Sequence, residues 1–151
     1  MKAERTTGTV LIVDDDENIR KILAYWVAGA GHSVKAAADA DAALGVLDSE
    51  AIDVAICDIR MPGHDGVWLL DKIRDHHPDV AVVVATGLME MDPGVTLRPG
   101  VVGYLVKPFS RTEVTNMVLQ GLVERRRLKS TAQGDRLLPD SALDDIVLSV
   151  G

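Results

Sequence analysis

Hydrophobic and polar residues alternate along this chain in blocks. Runs suited to strands lie near 9–13, 33–37, 52–57, 80–85 and 101–106. Amphipathic stretches separate them. Residues 17–30 place Ile19, Ile22, Leu23 and Trp26 on one face, with Asp16 as N-cap; residues 40–49 do the same with Ala43, Leu44 and Leu47 behind Asp39. Residues 66–76 carry Val67, Leu70 and Ile73, and residues 111–127 carry Val114, Met117, Val118, Gly121 and Leu122 behind Ser110. Strand and helix alternating in this way predict an α/β fold, a doubly wound parallel sheet with right-handed crossovers. Leu88 to Gly100 is the irregular stretch, where Pro93-Gly94 and Pro99-Gly100 limit any helix to a short one between them. Glu124-Arg125-Arg126-Arg127-Leu128-Lys129 reads as the basic end of the last helix, its cations complementing the helix dipole. Ser130 to Arg136 reads as a linker, and Leu137 to Val150 has the pattern of one more short helix. The expected organisation is a disordered or extended segment 1–8, a domain over 9–128 and a linker or tail over 129–151.

Bulk properties narrow the classes. At 151 residues, one domain plus a tail is expected, and with 47% hydrophobic but only 3% aromatic residues the core must be aliphatic. A net charge of −7 argues against direct binding of nucleic acid or an anionic membrane, and is compatible with holding a cation. The single cysteine, Cys57, excludes an intramolecular disulfide and suits a reducing compartment. The polar start Met1 to Thr7 lacks the apolar segment of a signal peptide, and no apolar run approaches the ~20 residues that span a bilayer. A cytoplasmic location is the expectation.

Chemistry gathers where the hydrophobic runs end. Asp14, Asp15 and Asp16 follow the first run, Asp58 the third, Thr86 the fourth, and Lys107-Pro108 the fifth. In an open parallel sheet those ends share one crevice. Crowded carboxylates repel unless a cation neutralises them, and Mg2+ accepts one or two carboxylates with water and phosphate oxygens. Asp16 is expected only to cap. A carboxylate such as Asp58 can attack phosphorus to form an aspartyl phosphate. Pro62 and Gly63 make a turn beyond it, and Gly66 can relax the backbone where the next helix begins. Thr86 offers a hydroxyl, and Lys107 a point charge, to phosphoryl oxygens; Pro108 admits a cis peptide that turns the ammonium inward.

From about Thr9 to Arg127 the chain resembles a receiver domain of bacterial two-component response regulators. The resemblance is carried by Asp14 and Asp15, by Asp58 within Asp-x-x-Met-Pro-x-x-Asp-Gly, by Thr86, and by Lys107 before Pro108, with Tyr104 at the aromatic switch position. It implies a flavodoxin-like sheet of order 2-1-3-4-5. It also implies that a sensor histidine kinase or phosphotransfer protein donates a phosphoryl group to Asp58. Mg2+ would be held by Asp15, Asp58 and the main-chain carbonyl of Arg60, with Asp14 acting through water. Thr86 and Tyr104 then shift, biasing a surface that a downstream protein or output domain reads. Such a protein is a phosphorylation-switched regulator, catalysing its own phosphoryl transfer and autodephosphorylation, rather than a turnover enzyme.

Two features depart from that pattern. The broken segment 92–100 sits where the fourth helix forms much of the usual signalling surface, which weighs against a homodimer through that face. Arg60 and Leu88, two residues beyond Asp58 and Thr86, are expected to flank the attacking water and set the lifetime of the phosphorylated form. Two alternatives stay open: a haloacid dehalogenase-type phosphatase using Asp14 and Asp16, or a docking module that signals without phosphorylation. Other residues read as structural: His76 and His77 as a helix C-terminus, His64 as solvated, Cys57 as core on the face opposite Asp58, and Trp26 and Trp68 as packing.

Overall fold

The computed structural model describes residues 6–87, 93–96 and 98–137. The elements run β1 (Thr9–Val13), α1 (Glu17–Gly29), β2 (Ser33–Ala37), α2 (Ala40–Ser49), β3 (Val54–Asp58), α3 (Gly66–His76), β4 (Ala81–Thr86), α4 (Pro93–Thr96), β5 (Val101–Val106) and α5 (Arg111–Leu137). All strand pairs are parallel, in the order β2-β1-β3-β4-β5. The expected fold class and strand order are therefore the observed ones.

Strand parity divides the core into two layers. Leu11, Val13, Ala55, Cys57, Val82 and Val84 pack against Ala43 and Leu47 of α2, Leu69, Leu70 and Ile73 of α3, and Val95. The residues between them, Val10, Ile12, Val54, Ile56, Ala81, Val83 and Ala85, face Leu23 and Val27 of α1 and Val114, Val118 and Leu122 of α5. Every residue of β3 and β4 is buried. This is why those strands read as unbroken apolar runs rather than as alternating ones.

Caps fall where the sequence puts them. Asp16 accepts from the amides of Asn18 and Ile19, and Asp39 from Ala42. Ser110 and Glu113 form a reciprocal capping box. Asp65, the cap of α3, accepts from Trp68.

The last helix differs from expectation. It does not end in the basic stretch or give way to a linker at Ser130, but continues to Leu137. No proline stands between Arg111 and Pro139, and the two isolated glycines of this stretch, Gly121 and Gly134, each cost only about 1 kcal/mol in a helix. The basic run therefore lies inside the helix, and two of its arginines have ion-pair partners. Arg125 pairs with Asp53, whose Oδ1 is 3.3 Å from Nε, and with Asp79, while Arg127 pairs with Glu124. Leu88, the segment 88–92, residue 97 and the short helix expected within 137–150 lie outside the described residues, save Leu137 itself. The helix α4 is short, four residues, but it starts on the first proline–glycine pair, Pro93-Gly94, rather than between the two pairs, since proline is tolerated in a helix's first turn.

Candidate functional site

The carboxyl ends of β1, β3, β4 and β5 lie side by side, and the acidic loop after β1 closes over them. Asp14 is fixed through its backbone and its side chain. Its N–H donates to the Ala37 carbonyl at 3.2 Å, its Oδ1 accepts from the Asp16 N–H at 2.9 Å, and its carbonyl accepts from Arg20 Nη1 at 2.8 Å. Asp58 ends β3, with its Oδ1 3.3 Å from the Arg60 N–H that donates to it. One carboxylate oxygen from each of Asp14, Asp15 and Asp58 lies within 4.8 Å of the others. Lys107 Nζ stands 3.2 Å from Asp14 Oδ2 and 3.5 Å from Asp58 Oδ2.

Close packing against the strand end brings the next helix into place. A Cβ on Gly66 would lie 2.3 Å from the Asp58 carbonyl oxygen and 2.7 Å from Ile59 Cα, so only glycine lets α3 start against this backbone. Its role is therefore close approach rather than the backbone freedom expected from sequence. Gly63, at φ 78°, does supply the left-handed turn beside Pro62. The loop residues Ile59 to Gly63, with Asp65, line an open depression of about 460 Å3.

The electrostatics are those of like charges held together. Asp58 is 5% exposed. Burial, and then repulsion by Asp14, push its carboxyl from 3.8 to about 6, against the pull of Lys107 and the Arg60 N–H. Desolvation lowers the Lys107 ammonium, but Asp58 and Asp14 outweigh it and its pKa is raised. Asp14 Oδ2 is buried without a hydrogen bond, the ammonium contact aside. A divalent cation suits this set: the donors are hard oxygens, and three carboxylates share a single ammonium, so the excess charge is negative.

The other residues expected at the site come from the ends of β4 and β5. Thr86 ends β4, buried, its hydroxyl donating to the Gly87 carbonyl at 3.2 Å. Its own carbonyl accepts from the Lys107 N–H at 2.8 Å, and the Lys107–Pro108 peptide is cis. Parity sets Asp14, Asp58 and Lys107 on the α1/α5 side of the sheet, and Thr86 on the other. Tyr104, paired in register with Val84, shares Thr86's side and packs half-buried against that layer. Thus Thr86 and Tyr104 adjoin the acid–lysine cluster but approach it from the opposite face.

Asp16 spends its carboxylate on capping α1, which removes it as the second acid of a phosphatase-type Asp14–Asp16 pair. Cys57 is fully buried on the face opposite Asp58, and burial followed by the Asp58 charge pushes its thiol up to about 12. His77 and His76 end α3. His64 is exposed but not merely solvated: its ring stacks on Trp68 at 3.7 Å and 7°, and Nδ1 lies 3.1 Å from Asp41 Oδ1. That pairing joins residues far apart in sequence and has no local signal. Arg20 was likewise missed, since a polar residue on a helix flank gives no sign of reaching back to the preceding loop.

Comparison with known proteins points one way. The profile of the family described as "Response regulator receiver domain" matches residues 10–119. The DNA-binding transcriptional regulator NtrC of Salmonella typhimurium is 38% identical over 112 residues, covering 74% of this chain and 24% of that protein. The chain therefore spans about a quarter of the length of such relatives. In structure it is similar to NtrX from Brucella abortus, with TM-score 0.75 and 29% identity over 82% of this chain and 29% of that one. A CheY-like receiver domain protein from Methanospirillum hungatei gives TM-score 0.71 and 27% identity over 80% of this chain and 98% of that one.

Proposed function

This chain belongs to the response regulator receiver domain family, and on that premise we propose that it is a magnesium-dependent phosphoacceptor switched by phosphorylation of Asp58. The single observation that carries the reading is the cluster itself: carboxylate oxygens of Asp14, Asp15 and Asp58 within 4.8 Å of one another, with Lys107 Nζ against two of the three.

Asp15, Asp58 and the Arg60 main-chain carbonyl would hold the cation, with Asp14 acting through a water molecule. Bound there, Mg2+ supplies charge neutralisation for the carboxylates and for the oxygens of the incoming phosphoryl group. Asp58 is the nucleophile. At neutral pH it is largely ionised even with its raised pKa, so its oxygen attacks phosphorus while the phosphorus–nitrogen bond to the donor histidine breaks in line. Lys107 holds a phosphoryl oxygen by charge, and the ion pairs it makes with Asp14 and Asp58 keep it at the required place beforehand. Thr86 leaves the Gly87 carbonyl to donate to another phosphoryl oxygen. Tyr104, on the same face, moves into the space released, and the surface formed by β5 and α5 changes for a partner protein or an output segment to read. Arg60, beside the route of the hydrolytic water, sets the lifetime. The donor is a sensor histidine kinase or phosphotransfer protein, and the setting is the cytoplasm. Among the described residues no helix is long and apolar enough to cross a membrane.

The test is stoichiometric labelling. The purified chain, given a small acyl phosphate and MgCl2, should gain one base-labile phosphoryl group on the peptide carrying Asp58. Label that persists in Asp58→Asn or with the metal chelated would overturn the assignment, as would continuous turnover of a simple phosphate ester.

A further inference from the structure

Arg20 has no place in the phosphorylation switch, yet it makes one of the three hydrogen bonds that hold Asp14 beside its ion pair with Lys107. It projects from the first turn of α1 and is half-buried. Its Nη1 donates to the main-chain carbonyl of Asp14 at 2.8 Å. The other two bonds come from the loop's own surroundings: the Asp14 N–H reaches Ala37 of β2, and the Asp16 N–H reaches Asp14 Oδ1. It is Arg20 that donates to the carbonyl.

That carbonyl matters because of the residue joined to it. The Asp14 carbonyl and the Asp15 nitrogen belong to one planar peptide, so the direction of the carbonyl fixes the plane from which Asp15 departs. Asp15 itself is exposed. Packing therefore does little to orient its side chain, and the peptide plane does much. We propose that Arg20 is a positioning residue for the divalent-cation site: by holding the Asp14 carbonyl it orients the Asp14–Asp15 peptide, and through it the Asp15 carboxylate. This inference rests on the acid cluster being a cation site.

Charge and geometry make opposite predictions, which renders the idea decidable. A guanidinium near a cation site repels the cation, so if Arg20 acted by charge alone its removal would tighten Mg2+ binding. If it acts by positioning, removal loosens binding, and loss of a residue supporting a metal ligand typically weakens affinity about 10-fold or more. The experiment is calorimetric titration of the full chain with MgCl2 at neutral pH, for wild type, Arg20→Ala, Arg20→Gln, Arg20→Lys and Asp15→Asn. Thermal unfolding in EDTA controls for folding, and Arg20→Gln, which keeps a donor and most of the side-chain volume, serves if the alanine variant unfolds. The expected result is affinity lowered about 10-fold in Arg20→Ala at unchanged metal-free Tm, with substantial recovery in Arg20→Lys. Binding in Arg20→Ala as tight as wild type, or tighter, overturns the positioning role and leaves the cation site standing. Wild type that fails to bind Mg2+, or Asp15→Asn that binds it equally well, overturns the cation site and this inference with it.

Discussion

Replacing Asp58 by asparagine should make the metal-free protein more stable at neutral pH, even as it removes the proposed phosphoacceptor. Asn has nearly the same shape and no charge. In the native chain the Asp58 carboxyl is 5% exposed and stands beside the Asp14 carboxylate, with a single ammonium 3.5 Å away. Its pKa rises from 3.8 to about 6, burial being the larger cause and Asp14 the next. A displacement of that size disfavours the ionised form in the folded state by about 3 kcal/mol. The direction comes from proton counting. Between about pH 4 and 6 the folded state holds a proton that the unfolded chain has released. Stability of the wild type therefore falls as pH rises through that window, and the whole deficit is present above it.

The assay is urea denaturation in EDTA, comparing Asp58→Asn with wild type at several pH values, so that titrations common to both proteins cancel. The variant's advantage should be close to zero near pH 4, grow through the window and level off at about 3 kcal/mol above pH 6. Adding MgCl2 should then stabilise wild type by mass action and narrow the gap, because the cation binds the folded carboxylates and the variant has lost one of them. An asparagine variant no more stable than wild type at pH 7.5 would refute the reasoning. So would an advantage of equal size at pH 4 and 7.5, since it would then owe nothing to the charge.

Other substitutions probe the same frame. Lys107→Ala should lower phosphoryl uptake at least ~100-fold in a labelling time course, because a charge-stabilising donor is lost; it should also destabilise the metal-free protein at pH 7.5, and less at pH 4, where Asp58, one of its two partners, is protonated. Gly66→Ala would set a Cβ 2.3 Å from the Asp58 carbonyl, a backbone atom that cannot swing away. It should cost about 3 kcal/mol in urea denaturation and weaken Mg2+ binding measured on the folded fraction. Arg125→Ala removes the partner of Asp53 and Asp79 and should cost about 2 kcal/mol while leaving Mg2+ affinity unchanged by calorimetry; altered affinity would show that the two ends of the sheet are coupled. Arg60→Ala should change the half-life of the acyl phosphate in a chase experiment, and an identical decay would remove Arg60 from the hydrolytic route.

The sheet and the principal site residues were legible because they rest on two local signals. Unbroken apolar runs such as Val80 to Ala85 indicate strands covered on both faces, and polar groups at the carboxyl ends of such strands must converge. Caps were legible for the same reason: Asp16, Asp39 and Ser110 act within three residues of themselves. What escaped depends on partners distant in sequence. The basic run 124–129 looks like a helix terminus until Arg125 is found between Asp53 and Asp79, 72 and 46 residues earlier. His64 looks like a loop residue until Asp41 and Trp68 are set beside it. Gly66 reads as a flexible joint, and only the packing shows that its missing Cβ is what matters. The length of helix α5 is not legible because Ser130 to Arg136 is polar and contains Gly134, a composition that a helix and a linker share.

The two ends of the sheet have opposite electrostatic designs, and this explains how a fold can carry a strained site. At the carboxyl ends three acids are gathered around one ammonium, so the ionisation of buried Asp58 opposes folding until a cation completes the set. At the amino ends the chain is bound by complementary groups. Arg125 ties α5 to the starts of β3 and β4, and Asp53 Oδ2 accepts from the Thr9 N–H at 2.8 Å. Arg74 donates to the Pro78 carbonyl at 2.7 Å and to that of Val80, while His32 Nδ1 accepts from the Gly8 N–H at 3.2 Å. A strand of five residues separates these groups from the crevice by roughly 15 Å. At that distance local free energies add with little interaction. The amino-terminal network can therefore offset the acid crevice in total stability without neutralising it, and the crevice keeps the unbalanced charge that the proposed cation site requires.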